Sequence, residues 1–288
     1  DVPNVKPAIE RVLKVTGGLV EEETAEVTED GVIVDGVFEA GVMYVADTTE
    51  GDQPVHFFFF FVDFSEVVDV PGAEEGMSAF TNVNVKRWDY KVKNENQVAV
   101  EALVEIFVKI TEPRQIMVVT DVDSNKVEIE EELLRVEEVI GENTVSESIT
   151  ENLIVPDVKP DIEQILEGNA QLFNPTCNVE DGGVLIEGTI EGSVLYVADT
   201  TEGDQPVHYF HREFDFSNFV NVAEAEMGMS CYIDVMLKRV KAGRLGPRTV
   251  EMVVTLSKFA KVTNFRQLTI VTDLVVVSPV VDQPDCDK

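Results

Sequence analysis

The chain has 288 residues, 44% of them hydrophobic, with 22 basic against 55 acidic side chains for a net charge of −33. That length and apolar content suffice for two domains with cores of their own and exclude a disordered chain. The negative field excludes nucleic acid and anionic membrane surfaces as partners, leaving cations, basic surfaces or other copies of the chain; no apolar run approaches the ~18 residues of a membrane span, so no membrane insertion is expected.

In chain order, PAIERVL places Pro7 at the head of a short apolar-periodic segment, which predicts a helix of one or two turns. Segments 32–45, 55–64, 77–93, 98–111 and 115–122 are rich in Val, Ile, Phe and Thr with turn residues between them, and predict strands. Residues 127–140 read as an acidic helix or an irregular strand, the shared parity of Val127, Ile129, Leu133 and Val139 favouring strand. In the next stretch Val145, Ile149, Leu153 and Val155 alternate with polar positions as a half-buried strand does. From Val155 the chain begins again. VPDVKPDIEQIL repeats VPNVKPAIERVL, GVLIEG repeats GVIVDG, the thirteen letters YVADTTEGDQPVH occur from Tyr44 and again from Tyr196, and EMGMS repeats EEGMS. A period of about 152 residues is a duplicated domain, too long for a solenoid repeat.

The architecture expected is therefore all-β: two tandem β-sandwich-like domains, residues 1–141 and 142–288, each with a short helix near its start. The copies are unequal at both ends. The strand that precedes VPDVKP has no counterpart before Asp1, and the second copy ends in LVVVSPVV where the first has VDSNKVEI. One domain lacks a strand and the other terminus carries an apolar one. The alternative is that this terminal strand pairs within its own domain. The start at Asp1 rather than Met suggests that an N-terminal segment has been removed or left out, and secretion is one way to produce that.

The motifs VKPxIExIL, GVxxxG followed by YVA, a loop ending in QPVH, an aromatic strand, GMS and a terminal RQxxxVTD resemble the SPOCS domain, found in spore-coat assembly proteins of spore-forming bacteria. The resemblance covers both copies and implies an assembly or envelope role at the cell or spore surface. It carries over no active-site residue, and the LysM-like region that often accompanies the domain is absent from this sequence.

Candidate sites fall into four groups. Asp47, Glu50 and Asp52, with Asp199, Glu202 and Asp204 in the second copy, put three carboxylates in each loop, a density that suits Ca²⁺ but lacks the EF-hand order. Cys177 and Cys231 stand where the first copy has Ala25 and Ala79 and read as buried free thiols; Cys286, in the polar tail, is a candidate for a bond between subunits or to Cys177. His56 and His208 read as structural residues, and no GxSxG, HExxH or phosphate-cradling loop is present, so an enzyme is not expected. Finally, Phe57, Phe59 and Phe61 replace Tyr209, His211 and Glu213 on the strand face opposite Phe58, Phe60, Val62 and Phe64, which read as core. An apolar patch of that kind marks an interaction site.

Together with the basic residues Lys238, Arg239, Lys241, Arg244 and Arg248 of the second copy, these asymmetries predict a homo-oligomer or filament built head to tail. Val275, Val276, Val277, Val280 and Val281 would supply a strand to the next subunit. The alternative is an envelope or spore-coat adaptor that binds another protein without polymerising.

Overall fold

The computed structural model describes residues 1–20, 23–47, 55–112, 114–124, 126–200 and 206–277. Among them every regular element is a β-strand. The first copy supplies β1 (Ile9–Leu19), β2 (Thr24–Thr28), β3 (Gly31–Ala46), β4 (Val55–Asp69), β5 (Ser78–Asn94) and β6 (Gln97–Thr111). Then come β7 (Val127–Ile154), β8 (Ile162–Glu180), β9 (Gly183–Ala198), β10 (Val207–Asn221), β11 (Ser230–Arg244) and β12 (Thr249–Val276).

The short helices expected at PAIERVL and PDIEQIL are instead the starts of β1 and β8. Register shifts between Ile9 and Arg11 and between Val12 and Lys14 interrupt the pairing of β1 with β3, and β8 has the same irregularities at Ile162/Gln164 and Ile165/Glu167. Each extra residue brings the next apolar side chain back to the inner face. Ile9, Val12 and Val15 thus share one core cluster at a three-residue spacing that imitates a helix.

In the second copy, β8, β9 and β10 form one antiparallel sheet in the order β10-β9-β8, and β7, β11 and β12 form the other in the order β11-β12-β7. Side chains from both sheets share a single core, including Ile186, Ile190, Val194, Phe210, Phe216, Met252, Val254 and Leu256. In the first copy β3 pairs with β1 and β2 on one side and β4 on the other, while β5 and β6 form a sheet of two. Its core is split into two clusters, one around Val42, Tyr44 and Phe58 and one around Val32, Val34 and Phe38.

The difference traces to β7. All of β7 is antiparallel to β12, from Thr249↔Ile154 to Val276↔Val127, so the expected boundary at 141/142 falls inside a strand whose pairing is entirely with the second copy. The first copy has no such strand among the described residues. The expected strand at 115–122 is correspondingly irregular, although its counterpart Gln267–Leu274 is part of β12 and faces residues 129–135 of β7. A strand needs a ladder to satisfy its backbone groups. Among the described residues the segment has no ladder, although the Val271 N–H donates to the Val119 carbonyl, and Ile116 and Met117 are 83% and 99% exposed.

The two domains pack against each other. Met43 on the outer face of β3 is buried with Leu166 and Val197 of the second domain, and Val55, Phe57 and Leu195 pack around them. Ion pairs flank this contact: Lys14 with Glu167 at 2.8 Å, Lys238 with Glu23 at 2.9 Å and Arg239 with Glu39 at 3.2 Å.

Candidate functional site

The repeat makes the outer edge of β6 directly comparable with that of β12, because the two strands pair with β5 and β11 in the same register. Ser78↔Thr111 corresponds to Ser230↔Thr263, and Val83↔Ile106 to Val235↔Lys258. On β12 the inward positions Val250, Met252, Val254, Leu256, Lys258, Ala260 and Val262 are all 0% exposed. β7 and the residue after it close over them with Val145, Ile149, Leu153 and Val155. On β6 the equivalent positions Val98, Val100, Val104, Ile106, Val108 and Ile110 are only half buried, and Ala102 is exposed. Val2 takes the place of Val155 at one end, its N–H bonding to Asn96 as that of Val155 bonds to Arg248. From there the edge of β6 has no partner strand among the described residues. An unpaired edge beside a half-exposed apolar face is a template for strand addition.

The C-terminal residues expected to supply a strand lie partly within this frame. Leu274, Val275 and Val276 pair with Ile129, Glu128 and Val127 of the same chain, and the Val277 N–H donates to Lys126. Leu274, Val275, Val276 and Val277 nevertheless stay 44–66% exposed, because this part of β12 has passed the end of β11 and β7 covers only one edge. Val280, Val281 and Cys286 lie outside the described residues.

The aromatic face divides. Phe57 is half buried against Met43 in the contact between domains, its ring lying over Gly41, so it is not part of a free surface. Phe59 and Phe61 are 54% and 53% exposed and meet edge to face at 5.7 Å. Of the residues read as core, Phe58 is buried and Phe60 and Phe64 are partly so, whereas Val62 is 45% exposed. Among the described residues β4, which carries them all, pairs with β3 alone and no strand pairs with its other edge. The counterparts Tyr209 and His211 also face water, and His211 meets Glu191 at 3.0 Å.

Two further expectations change, and a third lies mostly outside the described residues. The basic cluster was read as a surface for a neighbouring molecule, but Lys238 and Arg239 are spent within the chain on Glu23, Glu39 and the carbonyl of Val20. Arg248 is likewise spent, donating to Asp161 and to the carbonyls of Val155, Pro156 and Lys159. Cys177 is bonded to Cys231, tying β8 to β11 across the sandwich, so neither is a free thiol and Cys177 is not a partner for Cys286. Of the loop carboxylates only Asp47 and Asp199 are described, both exposed; Glu50, Asp52, Glu202 and Asp204 lie outside the described residues.

The conserved loop flanks are structural. Tyr44 donates to the carbonyl of Pro7 and Tyr196 to that of Pro160, and burial raises both phenols above their ordinary value. His56 stacks on Tyr44 and His208 on Tyr196. Between the domains a cavity of about 270 Å³ is lined by Ser146, Ser148, Arg239 and Thr255, among others.

Sequence reasoning also missed a buried lysine. Lys258 is 0% exposed on the inner face of β12 and donates to Glu147 of β7, whose side chain reaches the surface. The signal was legible as a lysine at core parity where the first copy has Ile106.

These features define a class: a tandem β-sandwich protein in which, among the described residues, one unit is closed by its own first strand and the other has no strand on the same edge. The family described as SipL, SPOCS domain, matches residues 8–93 and 161–244, more than half of the chain and once in each sandwich. The chain belongs to that family, and with it to spore-coat-associated proteins. Comparison with curated proteins and with solved structures returns no match.

Proposed function

We propose that this chain is a non-enzymatic structural subunit of a spore or cell surface that associates with further copies of itself head to tail, into a filament. Residues at the C-terminal end of one copy add as a strand to β6 of the next, and Phe59 and Phe61 are buried as the copies meet. The observation that carries this reading is the contrast between the two edges: seven inner positions of β12 are sealed by β7, and their counterparts on β6 are half open. The Cys177–Cys231 bond supports a location outside the reducing cytosol. Leu274 to Val276 are held in cis, so the donor is the stretch that follows them, with the cis ladder acting as its anchor.

Negative-stain microscopy of the full chain and of a chain truncated after Val276 tests this. The truncation leaves the described ladder intact, and the expected result is filaments from the first and single particles from the second. Single particles from both would overturn self-assembly and leave the second reading, an adaptor whose β6 edge receives a strand of another coat protein. The cis pairing of Leu274–Val276 is the observation that favours that second reading. Filaments from both would remove the C-terminal donor.

A further inference from the structure

The inner faces of β6 and β12 differ by one charge. Ile106 and Lys258 occupy the same register position, opposite Val83 and Val235 respectively. Lys258 is wholly buried, its ammonium satisfied by Glu147 from the covering strand. The surrounding inner positions of β12 are apolar, so a strand without an acid at that place would leave a buried ammonium with no counter-ion. The edge of β6 presents the reverse problem. Its inner positions Val98, Val100, Val104, Ile106, Val108 and Ile110 carry no charge, and a carboxylate brought over Ile106 would lose water and find no partner.

We infer that the Lys258/Ile106 difference is a partner-selection device. β7 is confined to β12 by Glu147, and the β6 edge takes from a second copy a strand that is uncharged where β7 carries its glutamate. This rests on the strand-addition reading above and adds the rule that selects the strand. The chain contains a segment that meets it. Residues 277–281, VSPVV, which follow the part of β12 held in cis, carry no charge, whereas the stretch of β7 that seals the second sandwich carries Glu142, Glu147 and Glu151. The rule also accounts for what would otherwise be a hazard. Two copies of one domain in a single chain present edges of the same register, and an exchange of β7 between them would scramble the assembly; an unpaired charge in either wrong pairing opposes it.

Fluorescence anisotropy with labelled peptides tests the rule on the chain truncated after Val276, which keeps both domains and removes the competing tail. Three peptides are compared: residues 142–155, the same peptide with Glu147→Val, and residues 274–283. The expected result is binding of the Glu147→Val peptide and of 274–283, with the unaltered 142–155 peptide at least tenfold weaker. In the Ile106→Lys chain the order reverses, the unaltered peptide gaining and 274–283 losing at least tenfold. Should that variant fail to fold, the peptide pair differing only at position 147 still decides the matter on the unaltered chain.

Equal binding of the two 142–155 peptides overturns the charge rule while leaving the open edge as a strand acceptor. Binding of the Glu147→Val peptide without binding of 274–283 upholds the charge rule and overturns the C-terminal donor. No binding by any peptide overturns both.

Discussion

Lys238 on β11 donates to both carboxylate oxygens of Glu23, at 3.0 and 2.9 Å, with the two side chains 5% and 1% exposed, so an ion pair joining the two domains is sealed from water. Bringing two charges out of water costs several kcal/mol each, and their attraction repays it only while both are present. Lys238→Ala or Glu23→Ala alone should therefore destabilise the chain by about 3–5 kcal/mol, whereas Lys238→Met with Glu23→Leu should come close to neutral. Urea denaturation of the three variants checks this. Single variants within about 1 kcal/mol of the parent would mean that water reaches the pair.

The second domain has a covalent staple that the first does not. Cys177 and Cys231 are 54 residues apart in sequence and join opposite sheets. Closing a loop of that length restricts the unfolded chain by about 4 kcal/mol in the chain-entropy account. Reductant, or Cys177→Ala with Cys231→Ala, should lower the unfolding midpoint of the second domain and leave that of the first unchanged, as read by hydrogen exchange resolved along the chain. A loss shared equally by both domains would show that they unfold as one unit.

Much of this architecture is legible in the sequence, because the repeat and the period-2 faces are local signals. The Tyr44/Tyr196 register and the unequal ends of the two copies can be read by aligning one half of the chain with the other. What the sequence concealed depends on pairing. The bulges in β1 and β8 turn a strand's inner face into a helical spacing, so Ile9, Val12 and Val15 point the wrong way on paper. The segment 115–122 has strand composition and no ladder. Phe57 reads as exposed beside Phe59 and Phe61 until the docking of Leu166 and Val197 on Met43 is known, and no sequence pattern carries that contact. The basic residues of β11 mislead in the same way. Their complementarity to the first domain is real, but it is satisfied inside the molecule.

Stability should depend on pH through His56. Burial, with the charge of Lys6 adding to it, holds the His56 imidazole below its ordinary value of 6.5. The unfolded chain then takes up the proton at a higher pH than the folded one. Stability contributed at His56 is complete above the unfolded value and is lost as pH falls from there through the lower folded value. His56→Asn should flatten this part of the profile. The check is the difference in melting temperature between parent and variant from about pH 8 to about pH 5; a difference that stays constant over that range would refute the shift.

The exposed pair Phe59 and Phe61 provides the sharpest test of association, because the duplication supplies the control residues. Their places in the second copy are held by His211 and Glu213 on an equally edge-positioned strand. Each ring is about half exposed, so covering both removes roughly 200 Å² of apolar surface from water, worth about 5 kcal/mol at 25 cal/mol per Å² before the costs of association. Neither ring belongs to a core cluster of buried residues and their partners. Phe59→His with Phe61→Glu should thus leave monomer stability within about 0.5 kcal/mol. The same pair of changes should raise the concentration needed for assembly by two orders of magnitude or more, since even half of the burial term corresponds to about a hundredfold. Sedimentation velocity across a concentration series reads both quantities on one sample. An unchanged assembly threshold would remove the aromatic pair from the interface and leave strand addition at β6 as the contact between copies.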